Sequence, residues 1–157
     1  MSLDTDIQYM SLALQQAEIA GKNSEVPVGA VLVLSDGSVH AAHNAPISMH
    51  DASAHAEMRV IRAACTAVSN YRLAGSTLYV TLEPCTMCAG AIIHARIGRV
   101  VYGAADPKTG AVESLYQILS DKRLNHQPEV VGGIMADQCG AMLKDFFRNR
   151  RTDKAAS

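Results

Sequence analysis

"STLYVTLEPCTMCAGAIIHARIGRVVYGA", Ser76 to Ala104, decides the fold of this chain because its character changes twice along its length. Ser76–Leu82 is apolar and β-branched and reads as a strand that ends at Glu83-Pro84. Proline suits the first position of a helix, so Pro84 marks the start of one that runs to about Arg96. Arg99–Ala104 is a second strand. Met87, Ala89, Ala91, Ile92, Ile93 and Ala95 make the intervening helix apolar nearly all round, so it is buried on more than one side. Packing on a sheet uses one face, and a partner subunit is the expected cover for the other, which predicts a homodimer through the region 86–96.

Upstream, Ile7, Met10, Leu14 and Ala17 recur at helical spacing over residues 4–20, with Gly21 as the stop. Val28–Leu34 reads as a strand, and the Ser-Asp-Gly-Ser turn at 35–38 returns it into a weaker strand near Val39–Asn44. A loop over 45–53 leads into a helix from about Ala54 to Val68. Downstream come a loop over 105–110, a helix near Glu113–Leu119, a strand at Glu129–Val131 and a final helix from about Asp137. Strands separated by helices predict an α/β fold, a three-layer α/β/α sandwich. Its central five-stranded mixed sheet is expected to be mainly parallel and opened by one hairpin.

At 157 residues, 48% apolar and 18% charged, with no repeat or low-complexity tract, the chain is expected to form a single domain over 1–157. Asp4 and Asp6 interrupt any secretory leader, and no run approaches the roughly 18 apolar residues of a membrane span. The expected location is the cytoplasm, where paired cysteines serve metals or catalysis more often than disulfides. A net charge of -1 does not announce a nucleic-acid binder. Its distribution says more: Lys144, Arg148, Arg150, Arg151 and Lys154 outnumber Asp145 and Asp153. On charge alone, phosphate binding and a solvated helix face are equal readings of that basic end.

Two of the four cysteines, Cys85 and Cys88, fall at the start of the central helix, and His55 and Glu57 stand at the start of another. Helix N-termini carry partial positive charge and free N–H groups, which favour thiolates and bound anions. One imidazole and two thiolates satisfy zinc and leave its fourth tetrahedral position open. A carboxylate of pKa about 4.3 cannot deprotonate bulk water at about 15.7, a gap of roughly 11 units. Zinc brings bound water to about 7, a gap of roughly 3 units that a positioned base can manage. Glu57 is therefore worth more as a proton shuttle than as a fourth ligand, which points to hydrolytic deamination. Other readings stand beside this one. Cys-x-x-Cys alone fits a dithiol redox pair. A closed structural zinc would draw a fourth ligand from His43, His50, Cys65, His94 or Cys139. Cys65 and Cys139 otherwise read as buried core thiols, and His94 as a core or interface histidine.

His55-Ala56-Glu57 followed by Pro84-Cys85-Thr86-Met87-Cys88 resembles the signature of the zinc-dependent nucleobase deaminases, for which ligand set and general acid/base are established. The likeness extends through Glu25–Val33, the stretch from Asn70 to Ala104, Asp106–Ala111 and the ending Phe146–Arg151. Over roughly residues 6–151 the chain is similar to the bacterial tRNA-specific adenosine deaminases, in the cytidine/deoxycytidylate deaminase superfamily. The resemblance implies a cytidine-deaminase-like fold, a homodimer and one zinc (Zn2+) per subunit. It implies conversion of adenosine to inosine at the wobble position of the tRNA anticodon by a zinc-activated water. His55, Cys85 and Cys88 then match the zinc ligands, and Glu57 the catalytic proton shuttle. Asn44 matches the asparagine that reads the flipped base, although by itself it reads as a turn cap. Asp106 and Lys108 resemble residues beside the target nucleotide. Phe146, Phe147, Arg148, Arg150 and Arg151 resemble the element that meets the anticodon loop, with one phenylalanine expected in the core. A deaminase of free purine or pyrimidine metabolites and a non-catalytic zinc or dithiol RNA-binding module are the competing functions. Ala45, Ala52 and Ser53 depart from the family pattern and predict a less constrained, less basic loop over 45–53.

Overall fold

The computed structural model describes residues 2–156, with side chains described through Thr152. Its strands are β1 (Gly29–Val33), β2 (Val39–His43), β3 (Thr77–Leu82), β4 (Arg99–Ala104) and β5 (Glu129–Val131). Its helices are α1 (Leu3–Lys22), α2 (Pro46–Met49), α3 (Ala56–Val68), α4 (Thr86–His94) and α5 (Ala136–Ala156). The sheet order is β2-β1-β3-β4-β5. β3, β4 and β5 are parallel, whereas β1 is antiparallel to both β2 and β3. The sheet is thus mixed rather than mainly parallel. β3 enters beside the first strand of the hairpin instead of the second, so β1 alone runs against the other four.

Alternate residues of the central strands feed two cores, as the pleat requires. Val31, Val33, Tyr79 and Val101 face α1 and α5, against Met10, Ala13 and Cys139. Ala30, Leu32, Leu78, Val80 and Val100 face α3 and α4, against Val60, Ala64 and Ile92. Burial on both faces explains why β1 and β3 read as unbroken apolar runs. The buried side of α1 is Asp6, Met10, Ala13, Ala17 and Ala20. Ile7, expected on that side, is exposed. Small side chains let α1 lie almost on the backbone of β1: a Cβ at Gly29 would stand 2.0 Å from the Ala13 carbonyl oxygen.

Several local expectations are corrected. Cys85, not Pro84, is the last residue before α4, and the helix begins at Thr86. The expected loop over 45–53 contains the single turn α2. No helix covers 113–119; turns fill that segment up to a 3-10 turn at Ile118–Ser120. There the backbone N–H groups of Val112, Glu113 and Ser114 all donate to the Glu83 carboxylate, which organises these turns. His94 is exposed in the single chain, so it is not a core residue, Cys65 is only half-buried, and Cys139 alone is the expected core thiol. No helix of the described residues is long and apolar enough to cross a membrane.

A buried ion pair ties α1 to the sheet edge at which β3 and β4 begin. Arg99 donates to both Asp6 carboxylate oxygens, at 2.7 and 2.8 Å, and the Tyr79 hydroxyl adds a third bond at 2.9 Å. Arg99 also meets Glu129 at 3.4 Å. The Arg99 bond holds the Asp6 carboxyl below the ordinary aspartate range, against burial and with help from Tyr79. A depressed folded value means that this stability is complete above the unfolded pKa of about 3.9 and drains as pH falls through the folded one. Asp6→Asn is expected to cost about 3 kcal/mol near neutrality. Thermal melts of the variant and the parent should converge as pH falls below 4; a constant gap down to pH 2 would contradict the pair's role.

Candidate active site

Both helices on one face of the sheet begin at the edge where β3 and β4 end. His55 occupies the position just before α3, Cys85 the position just before α4, and Cys88 lies in the first turn of α4. Neither His55 nor Cys85 caps its own helix through the side chain, so each is left to turn its donor atom elsewhere. His55 Nδ1 stands 3.6 Å from Cys85 Sγ and 3.5 Å from Cys88 Sγ. With Zn–S of about 2.3 Å and Zn–N of about 2.0 Å, tetrahedral nitrogen and sulfur ligands lie about 3.5 Å apart. The trio therefore fits one zinc ion. Among the described residues it is the one such group, its donor atoms all within 4.8 Å of one another. His43, His50, Cys65, His94 and Cys139 do not join it, so the geometry offers no closed four-ligand cage.

Electrostatics at the trio follow from burial and proximity. The S–H of Cys88 donates to Cys85 and holds that thiol down at about 4, with burial opposing and His55 adding to the effect. Cys88 is pushed up by the same bond and by its own burial. A divalent ion takes both thiols as thiolates, so its binding would release protons. Glu57 is 4% exposed. Burial pushes its carboxyl above the ordinary range, against weaker lowering by its own backbone N–H and by His55.

A cavity of about 260 Å³ opens beside the trio, lined by His55, Cys85, Glu57, Asn44 and Asp106, with Val26, Val28 and Leu82 among its apolar walls. That size is at the small end of ligand pockets and suits one planar base. Asn44 Oδ1 accepts from the Ala56 N–H at 2.9 Å. Asn44 therefore caps α3, the plain role its sequence position suggested, and its NH₂ remains as the side chain's donor. Asp106 is also a turn residue: it accepts from the Lys108 and Thr109 N–H groups at 3.0 and 3.2 Å and from the Thr109 hydroxyl at 2.6 Å.

The other predicted contacts lie outside this cavity, in two grooves flanking α5. Lys108, Lys144, Phe147, Arg148 and Arg151 line one of about 510 Å³. Arg150, Phe146, Asn149, Ser24 and Ile47 line the second, with the Arg150 guanidinium 5.8 Å from the centre of the Phe146 ring. Phe147 is 40% exposed and Phe146 half-buried, so neither is the core phenylalanine that was expected. The side chains of Asp153 and Lys154 lie outside those described.

Residues 3–104 match the cytidine and deoxycytidylate deaminase zinc-binding region. Over 152 residues the chain is 48% identical to the tRNA-specific adenosine deaminase of Bacillus subtilis (strain 168), covering 97% of this chain and 94% of that protein. The chain belongs to the tRNA-specific adenosine deaminase family. A solved structure from work on A-to-I editing by tRNA:A34 deaminases at the wobble position of transfer RNA superposes with a TM-score of 0.83. It is 50% identical and covers 87% of this chain and 99% of its own. Guanine deaminase from Nitrosomonas europaea, 18% identical with a TM-score of 0.77 over 89% of this chain and 83% of that one, shares the fold alone.

Within this deaminase, two buried carboxylates besides Asp6 escaped the sequence reading. Glu25 accepts from the Ile47 and Ser48 N–H groups at 3.1 and 2.8 Å and so caps α2. Glu83, 2% exposed, would be raised by burial, but bonds from Glu113, Ser114 and Asp106 hold it at about 2. Their signal was available: a lone acid inside an apolar stretch needs several donors to remain charged. The departures at 45–53 are also accommodated. Asp51 Oδ1 accepts from the Ser53 N–H and hydroxyl at 2.9 and 2.7 Å, and Arg62 donates to the Ser53 hydroxyl at 3.2 Å. Ala45 is 2% exposed, so its side chain packs inside. This loop is bonded in place rather than loosened.

Proposed function

We propose that this deaminase hydrolyses adenosine to inosine at the wobble position of a tRNA anticodon, as a single domain acting in the cytoplasm. The observation that carries the reading is one cavity lined by His55, Cys85, the Glu57 carboxyl and Asn44, with Cys88 buried against His55 to complete the trio. It occurs in a chain whose likeness to tRNA deaminases runs through nearly its whole length. Zinc, when held by the trio, supplies the acidity that makes a water nucleophilic near neutral pH. Glu57 would take one proton of that water and deliver it to N1 of the adenine, then carry the second, from the oxygen added at C6, to the amine that leaves as ammonia. Its burial suits a group that must be protonated and deprotonated within one turnover. Asn44 donates its NH₂ to a purine ring nitrogen or a ribose hydroxyl. An anticodon base is already single-stranded, so extruding it costs less than opening a duplex pair.

Asp106 forms the turn beside the target nucleotide, while Lys108, Arg148, Arg150 and Arg151 meet backbone phosphates and Phe147 offers a stacking face. A homodimer would cover Met87 on α4, with the exposed Leu115 and Tyr116 beside the 3-10 turn that packs on that helix.

The test uses zinc-loaded protein and an anticodon stem-loop with adenosine at the wobble position, with inosine read as A-to-G changes in cDNA. We expect conversion of the stem-loop, and turnover of free adenosine or guanine slower by orders of magnitude. Turnover of the free compounds with the stem-loop untouched overturns the reading. Binding should weaken with salt, and Arg150→Ala should lower the slope of log K against log salt by about 0.7, the value of one phosphate contact on a single strand. An unchanged slope removes Arg150 from the interface.

A further inference from the structure

Glu83 sits between the end of β3 and the Pro84-Cys85 pair and is itself one of the residues lining the cavity beside the trio. Its carboxylate accepts five bonds, from the N–H groups of Asp106, Val112, Glu113 and Ser114 and from the Ser114 hydroxyl. The backbone reinforces them: the Glu83 N–H donates to Ala104 O at 2.9 Å, and the Ala111 N–H donates to Pro84 O at 2.8 Å. Gly110 completes the fit, because a Cβ there would stand 2.4 Å from the Glu83 carboxyl carbon. The loop so gathered, 105–114, contributes Asp106 and Thr109 to the wall of the cavity that also holds His55, Glu57 and Cys85.

We propose that Glu83 is a positioning residue for substrate: its carboxylate locks the loop 105–114 to the strand end that delivers Cys85, and so fixes the cavity wall that receives the nucleotide. One buried acceptor pair replaces the hydrogen bonds the loop would otherwise make with itself. Loss of the charge therefore releases several N–H groups together. His55 precedes α3 and Glu57 lies in its first turn, whereas the bonds of the Glu83 carboxylate all go to the loop 105–114. The role thus predicts weaker substrate capture with the metal trio intact. It rests on the RNA deaminase reading only for the choice of substrate.

Glu83→Gln tests it, since the amide keeps the volume but places an NH₂ where donors already converge. The expected result is a rise in KM for the stem-loop of about tenfold, with kcat within about threefold of the parent and zinc still at one ion per chain. Asp6→Asn, which breaks a buried pair at the opposite edge of the sheet, is the control for lost stability and should leave KM unchanged. If Glu83→Gln does not fold, Ser114→Ala removes one donor of the five and should raise KM by roughly twofold to threefold. A parental KM in the folded variant overturns the proposal, as does an equal rise in Asp6→Asn. An activity loss that follows zinc loss also overturns it, because Glu83 would then serve Cys85 and not the loop. Hydrogen exchange at the 112–114 amides reads the loop without substrate. Faster exchange in the variant supports the lock even if the parent fails to convert RNA, which would count against the function alone.

Discussion

Glu57→Gln is expected to lower inosine formation by roughly 10²–10⁴-fold, the usual worth of a positioned proton-transfer group, while zinc content stays at one ion per chain. Glutamine preserves the volume of a side chain that is 4% exposed, so packing should change little. What it removes is the capacity to accept the water's two protons in turn and to release one to the base and the other to the leaving amine. The loss should fall on kcat and kcat/KM alike, because the interaction exists only on the way to the transition state. Atomic absorption and single-turnover kinetics on the stem-loop check both halves of the statement. A variant with parental turnover, or one that loses its zinc, would show that Glu57 is not the shuttle.

Cys88→Ala should abolish turnover by a different route. Cys88 is fully buried and within 3.5 Å of His55 Nδ1. Its loss leaves two donors where an ion needs three protein ligands to remain bound in an open site. Without the ion a water is less acidic by about 9 units, and Glu57 cannot make up that difference. The variant is expected to retain little zinc and to fall to background conversion. Cys139→Ala provides the contrast: that thiol is equally buried but packs on Gly103 and α1, away from the trio, so zinc and activity should persist. Equal zinc loss in both variants would mean that the effect is unfolding rather than ligation.

The trio was legible because local rules place each member. A strand ending at Leu82, a proline and a helix start put Cys85 and Cys88 on one helix end, and the same logic holds for His55. Those rules depend only on near neighbours in the chain. What was not legible depends on distant partners. Residues 113–119 carry a helical pattern, yet Glu113 and Ser114 donate to an acid some thirty positions earlier and Leu115 and Ile118 to the Gly110 and Ala111 carbonyls, so the segment folds as turns. The buried side of α1 is set by how closely Ala13 approaches Gly29, which no single-helix period reports. α2 exists because Glu25 caps it across more than twenty residues.

X-ray absorption at the zinc edge of the loaded protein addresses the ligand arrangement itself. Two sulfur neighbours at about 2.3 Å and two nitrogen or oxygen neighbours at about 2.0 Å are predicted, one of the latter exchanged for the inhibitor's donor atom when a coordinating inhibitor displaces solvent. A shell of three or four sulfurs, or one that no added ligand can alter, would contradict an open three-residue centre and with it the assignment of hydrolysis to this cavity.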